Sequence, residues 1–177
     1  MTEFKLGRLA GLNLSAVPSA IVGLILLWIA LGGIAIGLLR FSFGEAMGAG
    51  LLATVLHWLS DTLHQLGHAW VARQTGYPMI GIRYWGVLST SVYPADEKPL
   101  PAAIHLRRAL GGPAASLIVV LVAAAIFLVV NSINASGMVW WIALFFFFEN
   151  AAAFFAGSLM PLGFTDGSTL LHWWGKR

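Results

Sequence analysis

The feature that most constrains this chain is a set of four apolar stretches. Each is longer than the ~20 residues that a helix needs to cross the ~30 Å hydrocarbon core of a bilayer. The stretches are residues 17–39, 46–72, 109–130 and 138–164. Only 10% of the 177 residues are charged and 59% are hydrophobic, which leaves too few charges to cover a soluble surface. We therefore predict an integral membrane protein with four transmembrane helices and contact with the lipid bilayer.

The positions of the basic residues predict how the helices are oriented. If the amino terminus is cytoplasmic, only Arg40 of the 10 lysines and arginines lies outside, and the others, from Lys5 to Arg177, lie inside. This multi-pass arrangement places both termini in the cytoplasm. Topology explains the basic pI of about 9.7 better than a nucleic-acid partner does, so we expect no nucleic acid to bind.

The connection between the second and third apolar stretches is predicted to form a short β-hairpin. Residues 78–94 are rich in β-branched and aromatic residues, carry a central glycine and are bounded by prolines. A plain amphipathic loop is the alternative interpretation. The predicted fold class is thus an all-α polytopic membrane protein, with four transmembrane helices and a short β-hairpin between the second and third.

The second predicted helix carries a polar stripe. When about 100° separates successive residues, six polar side chains fall within roughly 100° of the helix surface. They are Thr54, His57, Asp61, His64, Gln65 and His68. Ionisable side chains inside a membrane span are costly unless they have partners, so the stripe is expected to face the bundle interior and to mark a functional site.

His64 and His68 have the spacing of two ligands for one metal ion. Residues i and i+4 lie one helical turn apart on the same face, which lets two imidazoles reach one zinc ion. The chain has no cysteine, so any further ligand is a histidine or a carboxylate. The candidates for the third ligand are Asp61, His105, Glu149, Asp166 and His172. Asp166 matches best in membrane depth and ligand type, while Asp61 is better placed to orient His64 by accepting its other N–H.

Three motifs in order resemble the site-2 protease family, the intramembrane zinc metalloproteases. LHQLGHAWVARQTGYP (63–78) resembles the family's H-E-x-x-H helix, GGPAAS (111–116) its G-G-P-x-x-N segment, and SLMPLGFTDGS (158–168) its N-L-x-P-x-x-x-x-D-G segment. The resemblance implies Zn²⁺ as cofactor, with His64, His68 and Asp166 as its ligands. It also implies a protease-like metal-binding core over residues 46–177, with spans at about 46–72, 109–130 and 138–164. Residues 1–45 then form a cytoplasmic amino terminus and the first transmembrane helix.

The departures from the family pattern concern the catalytic chemistry. Gln65 occupies the position of the glutamate that acts as general base, and an amide cannot accept that proton. Ser116 and Ser158 replace two family asparagines expected to bind the substrate strand, and Asn150 is a further candidate for that role. Asp61 is a candidate for a proton relay. Glu149 is a second candidate for that role, but Asp61 and Glu149 are at least as well explained as residues that hold helices together by hydrogen bonds, and His57 is better explained in that way.

The favoured function is that of an intramembrane zinc metalloprotease that hydrolyses a peptide bond of a membrane-spanning protein or peptide near the cytoplasmic face. Because Gln65 replaces the base, we expect it to be inactive or impaired, either as a native pseudoprotease or as a form inactivated by Glu-to-Gln replacement. The alternative is a non-proteolytic zinc-containing relative that binds membrane-protein partners. A bis-histidine haem protein or ion pathway ranks below both, since only one helix carries a polar stripe. The exposed apolar helix faces are also compatible with a homo-oligomer.

Overall fold

The computed structural model describes residues 2–176, which form five α-helices and one four-stranded sheet. Arg177, one of the basic residues predicted to be cytoplasmic, lies outside the described residues. In chain order the elements are β1 (Phe4–Leu9), β2 (Leu12–Ala16), α1 (Pro18–Gly37), α2 (Phe43–Gln74), β3 (Gly81–Trp85), β4 (Leu88–Val92), α3 (Ala102–Ser132), α4 (Gly137–Glu149) and α5 (Asp166–Trp173). The α4 helix continues without interruption as a π-helical segment, Asn150–Gly157.

Three helices are long and apolar enough to cross a membrane. They are Pro18–Gly37, Ala102–Ser132 and the continuous helix Gly137–Gly157. The remaining predicted span, 46–72, corresponds to α2, whose polar stripe lowers its hydropathy, so its crossing of the bilayer is inferred from its place in the bundle. Large apolar side chains are exposed along these helices, as expected where lipid is the solvent.

The α2 helix packs between the others through small residues. It begins with a capping box, in which the side chain of Glu45 accepts hydrogen bonds from the backbone and hydroxyl of Ser42. On the side facing α1, Gly50 approaches the backbone of Gly32 so closely that a Cβ would lie 2.7 Å from the Gly32 nitrogen. Small residues at such contacts let helices pack tightly in a membrane, where dispersion contacts replace the hydrophobic effect.

The predicted hairpin between the second and third helices is confirmed, and it belongs to a larger sheet. β3 and β4 pair antiparallel through a two-residue turn, and β2 pairs parallel with β3, with Leu14 opposite Ile82. The chain before α1 was not expected to form strands, yet it forms an antiparallel hairpin of β1 and β2. Leu12 and Ile82 are fully buried in a cluster with Ala69 and Ala72 of α2, so the sheet covers the end of that helix.

The predicted helix boundaries need correction at two places. The third helix begins at Ala102 rather than at 109 and runs through Pro113. The fourth was predicted to reach 164 but gives way to an irregular segment after about residue 159, and Asp166 begins the separate helix α5. The irregular segment contains Pro161 and Gly163, which has a φ of +91°. Proline lacks a backbone donor and glycine tolerates a positive φ, so both favour the end of a helix.

Replacement of Gly50 by alanine tests the close packing of α1 and α2. The new Cβ would lie 2.7 Å from the Gly32 nitrogen and 2.9 Å from the Trp28 oxygen, so the helices must separate. We expect Gly50→Ala to destabilise the protein by about 1–3 kcal/mol, measured as thermal unfolding in detergent. Gly48→Ala on the same helix meets nothing within 4 Å and is the control, expected to be neutral or stabilising. Equal stability of the two variants would contradict the packing.

Candidate metal centre

His64, His68 and Asp166 converge on one point between α2 and the start of α5. The Nε2 atom of His64 lies 3.1 Å from Asp166 Oδ2 and 3.1 Å from His68 Nε2, and His68 Nε2 lies 3.3 Å from Asp166 Oδ1. A tetrahedral zinc ion with bonds of ~2.0–2.1 Å holds its ligand atoms ~3.3 Å apart. Each pair of residues thus approaches at about this spacing, with the two imidazoles facing different oxygens of Asp166, and one donor atom from each residue lies within 4.8 Å of the other two.

The remaining ring nitrogens fix the direction of both imidazoles. His64 Nδ1 lies 2.8 Å from the Ser116 hydroxyl, and His68 Nδ1 lies 2.8 Å from the Arg108 carbonyl oxygen, which can only accept. His68 Nδ1 lies closer to this carbonyl than to the Gly112 nitrogen, at 3.2 Å, which favours a proton on Nδ1, so that a neutral imidazole presents the lone pair of Nε2 to His64 and Asp166. A carboxylate and two imidazole lone pairs repel one another unless a cation lies between them. The chemistry of this donor set thus fits a divalent metal ion.

Gly112 of α3 leaves the space that the two imidazoles need. A Cβ built at this position would lie 2.3 Å from Nε2 of His64 and 2.3 Å from Nε2 of His68. Any larger residue would therefore displace the donor atoms of both histidines. Glycine is therefore needed at position 112 to make room for the two imidazoles, and not to form the α3 helix.

The third candidate ligand is held by the turn before α5. Asp166 is the first residue of α5, and Thr165 before it hydrogen-bonds through its hydroxyl to the Leu162 nitrogen at 3.2 Å and to the Met160 carbonyl. Gly167 is buried, and a Cβ there would lie 2.0 Å from the Leu159 oxygen. The D-G pair therefore combines a ligand with the small residue that lets α5 approach the end of the preceding helix.

Gln65 contacts β4 through both ends of its amide. Its Nε2 donates to the Ser89 carbonyl at 3.3 Å, and its Oε1 accepts from the Ser91 hydroxyl at 2.7 Å. Gln65 also lines a cavity of about 700 Å³ that contains the three candidate ligands and is bounded by β4 on one side. The amide therefore lies at the metal site and is held in place by the hairpin.

The other predicted site residues are distributed differently. Ser116 is fully buried and contacts His64 Nδ1, so Ser116 has the role of orienting this imidazole that was predicted for Asp61. Asp61 lines the cavity, and one of its carboxylate oxygens is buried without a hydrogen-bond partner. Ser158 also lines the cavity, and its hydroxyl donates to the Phe155 carbonyl. Asn150 is completely buried outside the cavity lining, where its amide donates to Ser60 and to the Phe146 carbonyl.

The other candidates for the third ligand have different partners, although His105 lines the same cavity. His105 stacks on Trp173 with 4.2 Å between ring centroids, and His172 contacts the edge of the same indole. Glu149 pairs with His57 at 2.7 Å. The stacking of His105 and Trp173 joins α3 to α5 and so helps to fix the helix that begins with Asp166.

Arg108 was not singled out in the sequence, yet it links the metal centre to the loop before α3. Its carbonyl accepts from His68, and its buried guanidinium donates to both carboxylate oxygens of Glu97, at 2.9 and 2.5 Å. The same guanidinium lies 4.0 Å above the ring of Tyr93. Hydrogen bonds from Arg108 lower the pKa of Glu97 below its ordinary value. A lone arginine beside a motif gives no sequence signal of such pairing.

Comparison with known proteins identifies the fold. No protein-family model matches the sequence, and no curated protein matches it. Among solved structures, the site-2 protease from Methanocaldococcus jannaschii matches with a TM-score of 0.62 and 19% sequence identity, over 96% of this chain and 70% of that one. The chain therefore has a site-2-protease-like fold. Together with its three apolar helices, this fold makes it an integral membrane protein.

The first prediction for the site concerns Gly112. We expect Gly112→Ala to lose most of its bound zinc, because the new Cβ occupies the space beside both Nε2 atoms. Ala114→Ser, an exposed change on the same helix, is the control and should keep the zinc content of the parent. Elemental analysis of the purified variants provides the measurement. Unchanged zinc in Gly112→Ala would show that the metal does not bind at this point.

The second prediction concerns Glu97. Because its pKa is lowered in the folded state, its contribution to stability is present above the ordinary glutamate pKa of about 4.3 and is lost as the pH falls below that value. Glu97→Gln should therefore unfold at a lower temperature than the parent near pH 7, and the difference should vanish at low pH. A difference that is the same at all pH values would mean that the ion pair is not its cause.

Proposed function

We propose that this chain is a zinc-containing, site-2-protease-like protein. Its fold is suited to hydrolysing a peptide bond of a membrane-spanning substrate near the cytoplasmic face. We expect it to be inactive or strongly impaired, because Gln65 replaces the general base. The observation that carries the proposal is the convergence of His64, His68 and Asp166 at the spacing of a zinc site. When bound, zinc would polarise the scissile carbonyl and make water more acidic.

The free edge of β4 is suited to hold an extended peptide. Trp85 and Leu88 flank the two-residue turn and form a hydrogen-bonded pair, so Ser89 and Ser91 direct their backbone groups away from β3. β4 is the last strand in the sheet order, and both serines line the cavity. The Ser89 carbonyl already accepts from Gln65, so a substrate segment unwound from its helix would pair with this edge at Ser91 and pass beside the candidate metal ligands.

The site lacks a general base, because Gln65 occupies the position of the family's glutamate. Peptide hydrolysis needs a group that takes a proton from the attacking water and passes it to the leaving amine, and a carboxamide does neither. The contribution of such a group is typically ~10²–10⁴-fold in rate. The residues that hold the metal and the substrate are thus compatible with protease chemistry, while the residue at the base position is not.

A non-proteolytic role, in which the cleft binds membrane-protein partners, is favoured by the hydrogen bonds of Gln65. Its amide donates to the Ser89 carbonyl and accepts from the Ser91 hydroxyl. A glutamate could accept from Ser91, but its second oxygen would face the Ser89 carbonyl and the two would repel. The strand beside the site thus matches an amide better than a carboxylate, as expected if Gln65 is native.

The membrane arrangement is part of the proposal. We place α2 across the bilayer as a fourth span, because it packs between α1 and α3 and buries its polar stripe inside the bundle. Both termini then lie in the cytoplasm, as the distribution of basic residues favours. The metal centre lies near the carboxyl end of α2 and therefore close to the cytoplasmic face.

Gln65→Glu tests whether the scaffold can catalyse hydrolysis. Restoring the carboxylate should raise cleavage of a transmembrane peptide in detergent by about 10²–10⁴-fold over the parent. Gln65→Glu combined with His64→Ala is the control and should be inactive, because it lacks a metal ligand. Zinc in every His64-containing form without cleavage in any form would contradict the protease interpretation and support the binding role.

A further inference from the structure

His57 and Glu149 form a buried pair outside the metal centre. His57 Nδ1 lies 2.7 Å from Glu149 Oε1, and His57 Nε2 lies 2.6 Å from the Val87 carbonyl oxygen. The pair therefore joins three elements that are distant in sequence: α2, the end of α4 and the turn between β3 and β4. It does not line the cavity around the candidate ligands, so the proposed chemistry leaves it without a role.

The hydrogen bonds of the pair require a definite number of protons. The Val87 carbonyl can only accept, so His57 Nε2 carries a proton. The contact with Glu149 then holds one more proton, on either the imidazole or the carboxyl group. In both cases the pair has no net charge, which suits its burial among apolar helices.

The turn that His57 holds is also fixed from the opposite side. Gly86 has a φ of +53°, and its nitrogen donates to the Ser19 hydroxyl of α1 at 3.2 Å. A Cβ at Gly23 would lie 1.9 Å from the Gly86 oxygen, so the turn packs directly on the α1 backbone. Val87 is followed immediately by β4, whose free edge lines the cavity. The position of the turn therefore sets where this edge begins.

We propose that His57 and Glu149 are positioning residues, which fix the free edge of β4 along the metal centre by holding the Val87 carbonyl. The inference rests on the proposed function, because the edge matters only if an extended peptide segment binds there. Gln65 holds the same strand further along, at Ser89 and Ser91. The strand is thus held at two separate places, and the hydrogen bond at Val87 is the contact that joins the turn itself to His57 of α2 and, through Glu149, to α4.

Amide hydrogen exchange of the purified protein tests the positioning directly. Glu149→Leu leaves His57 Nδ1 unpaired, and we expect the amides of Gly86–Val92 to exchange about tenfold faster. Glu149→Gln can donate to a neutral His57 and should restore the slow exchange of the parent. The β1–β2 hairpin of the same sheet is the internal reference and should not change in either variant, and the zinc content of both should equal that of the parent.

The outcomes separate this inference from the proposed function. Faster exchange confined to the β3–β4 turn and β4, with rescue by glutamine, supports positioning whether or not any peptide is cleaved. Unchanged exchange in Glu149→Leu, or faster exchange throughout the sheet, would overturn it. If Gln65→Glu cleaves a transmembrane peptide, adding Glu149→Leu should raise KM by more than it lowers kcat. A loss confined to kcat would contradict a role in placing the substrate strand.

Discussion

The close approach of α2 and α3 is the contact on which the site depends. A Cβ at Gly67 would lie 2.3 Å from the Gly111 oxygen, and one at Gly111 would lie 2.6 Å from the Gly67 oxygen. These distances leave no room for side chains, so the two backbones touch where α2 carries His68. The same approach brings the Arg108 carbonyl and the Ser116 hydroxyl to the far sides of the imidazoles. Backbone contact between two helices thus places the groups that orient both candidate ligands through their Nδ1 atoms.

The sheet provides the opposite wall of the site. Its cluster around Leu12 and Ile82 packs on the end of α2, while β4 extends along the cavity and contacts Gln65. Strand backbone cannot face lipid unpaired, so the hairpin must lie against helices that accept its hydrogen bonds. The contacts at Val87, Ser89 and Ser91 satisfy this condition on the side of α2. The polar stripe of α2 therefore faces two ways, with His64 and His68 toward Asp166 at the candidate metal centre and with Gln65 and His57 toward the hairpin.

The sequence was sufficient to predict the apolar helices, the hairpin between the second and third helices, and which residues are candidates for one metal site. The helices, the hairpin and the spacing of His64 and His68 follow from patterns along a single element, whereas Asp166 was chosen by its membrane depth and by the resemblance of its motif. The β1–β2 hairpin was missed although it is local, with Leu9 opposite Leu12 across a two-residue turn, whereas its parallel pairing with β3 joins residues 68 apart and has no local pattern. The partners of the polar stripe were missed for the same reason. His57 finds Glu149 and Val87, and His64 finds Ser116, only after the helices have packed.

X-ray absorption at the zinc edge of the purified, unmodified protein tests the central claim most directly. We predict one zinc ion per chain, bound by two imidazole nitrogens and at least one oxygen at ~2.0–2.1 Å. Substitution of Asp166 by alanine should remove the carboxylate contribution or the metal itself. Absence of zinc from the purified protein, or a zinc ion whose spectrum is unchanged in Asp166→Ala, would contradict the assignment of His64, His68 and Asp166 as its ligands.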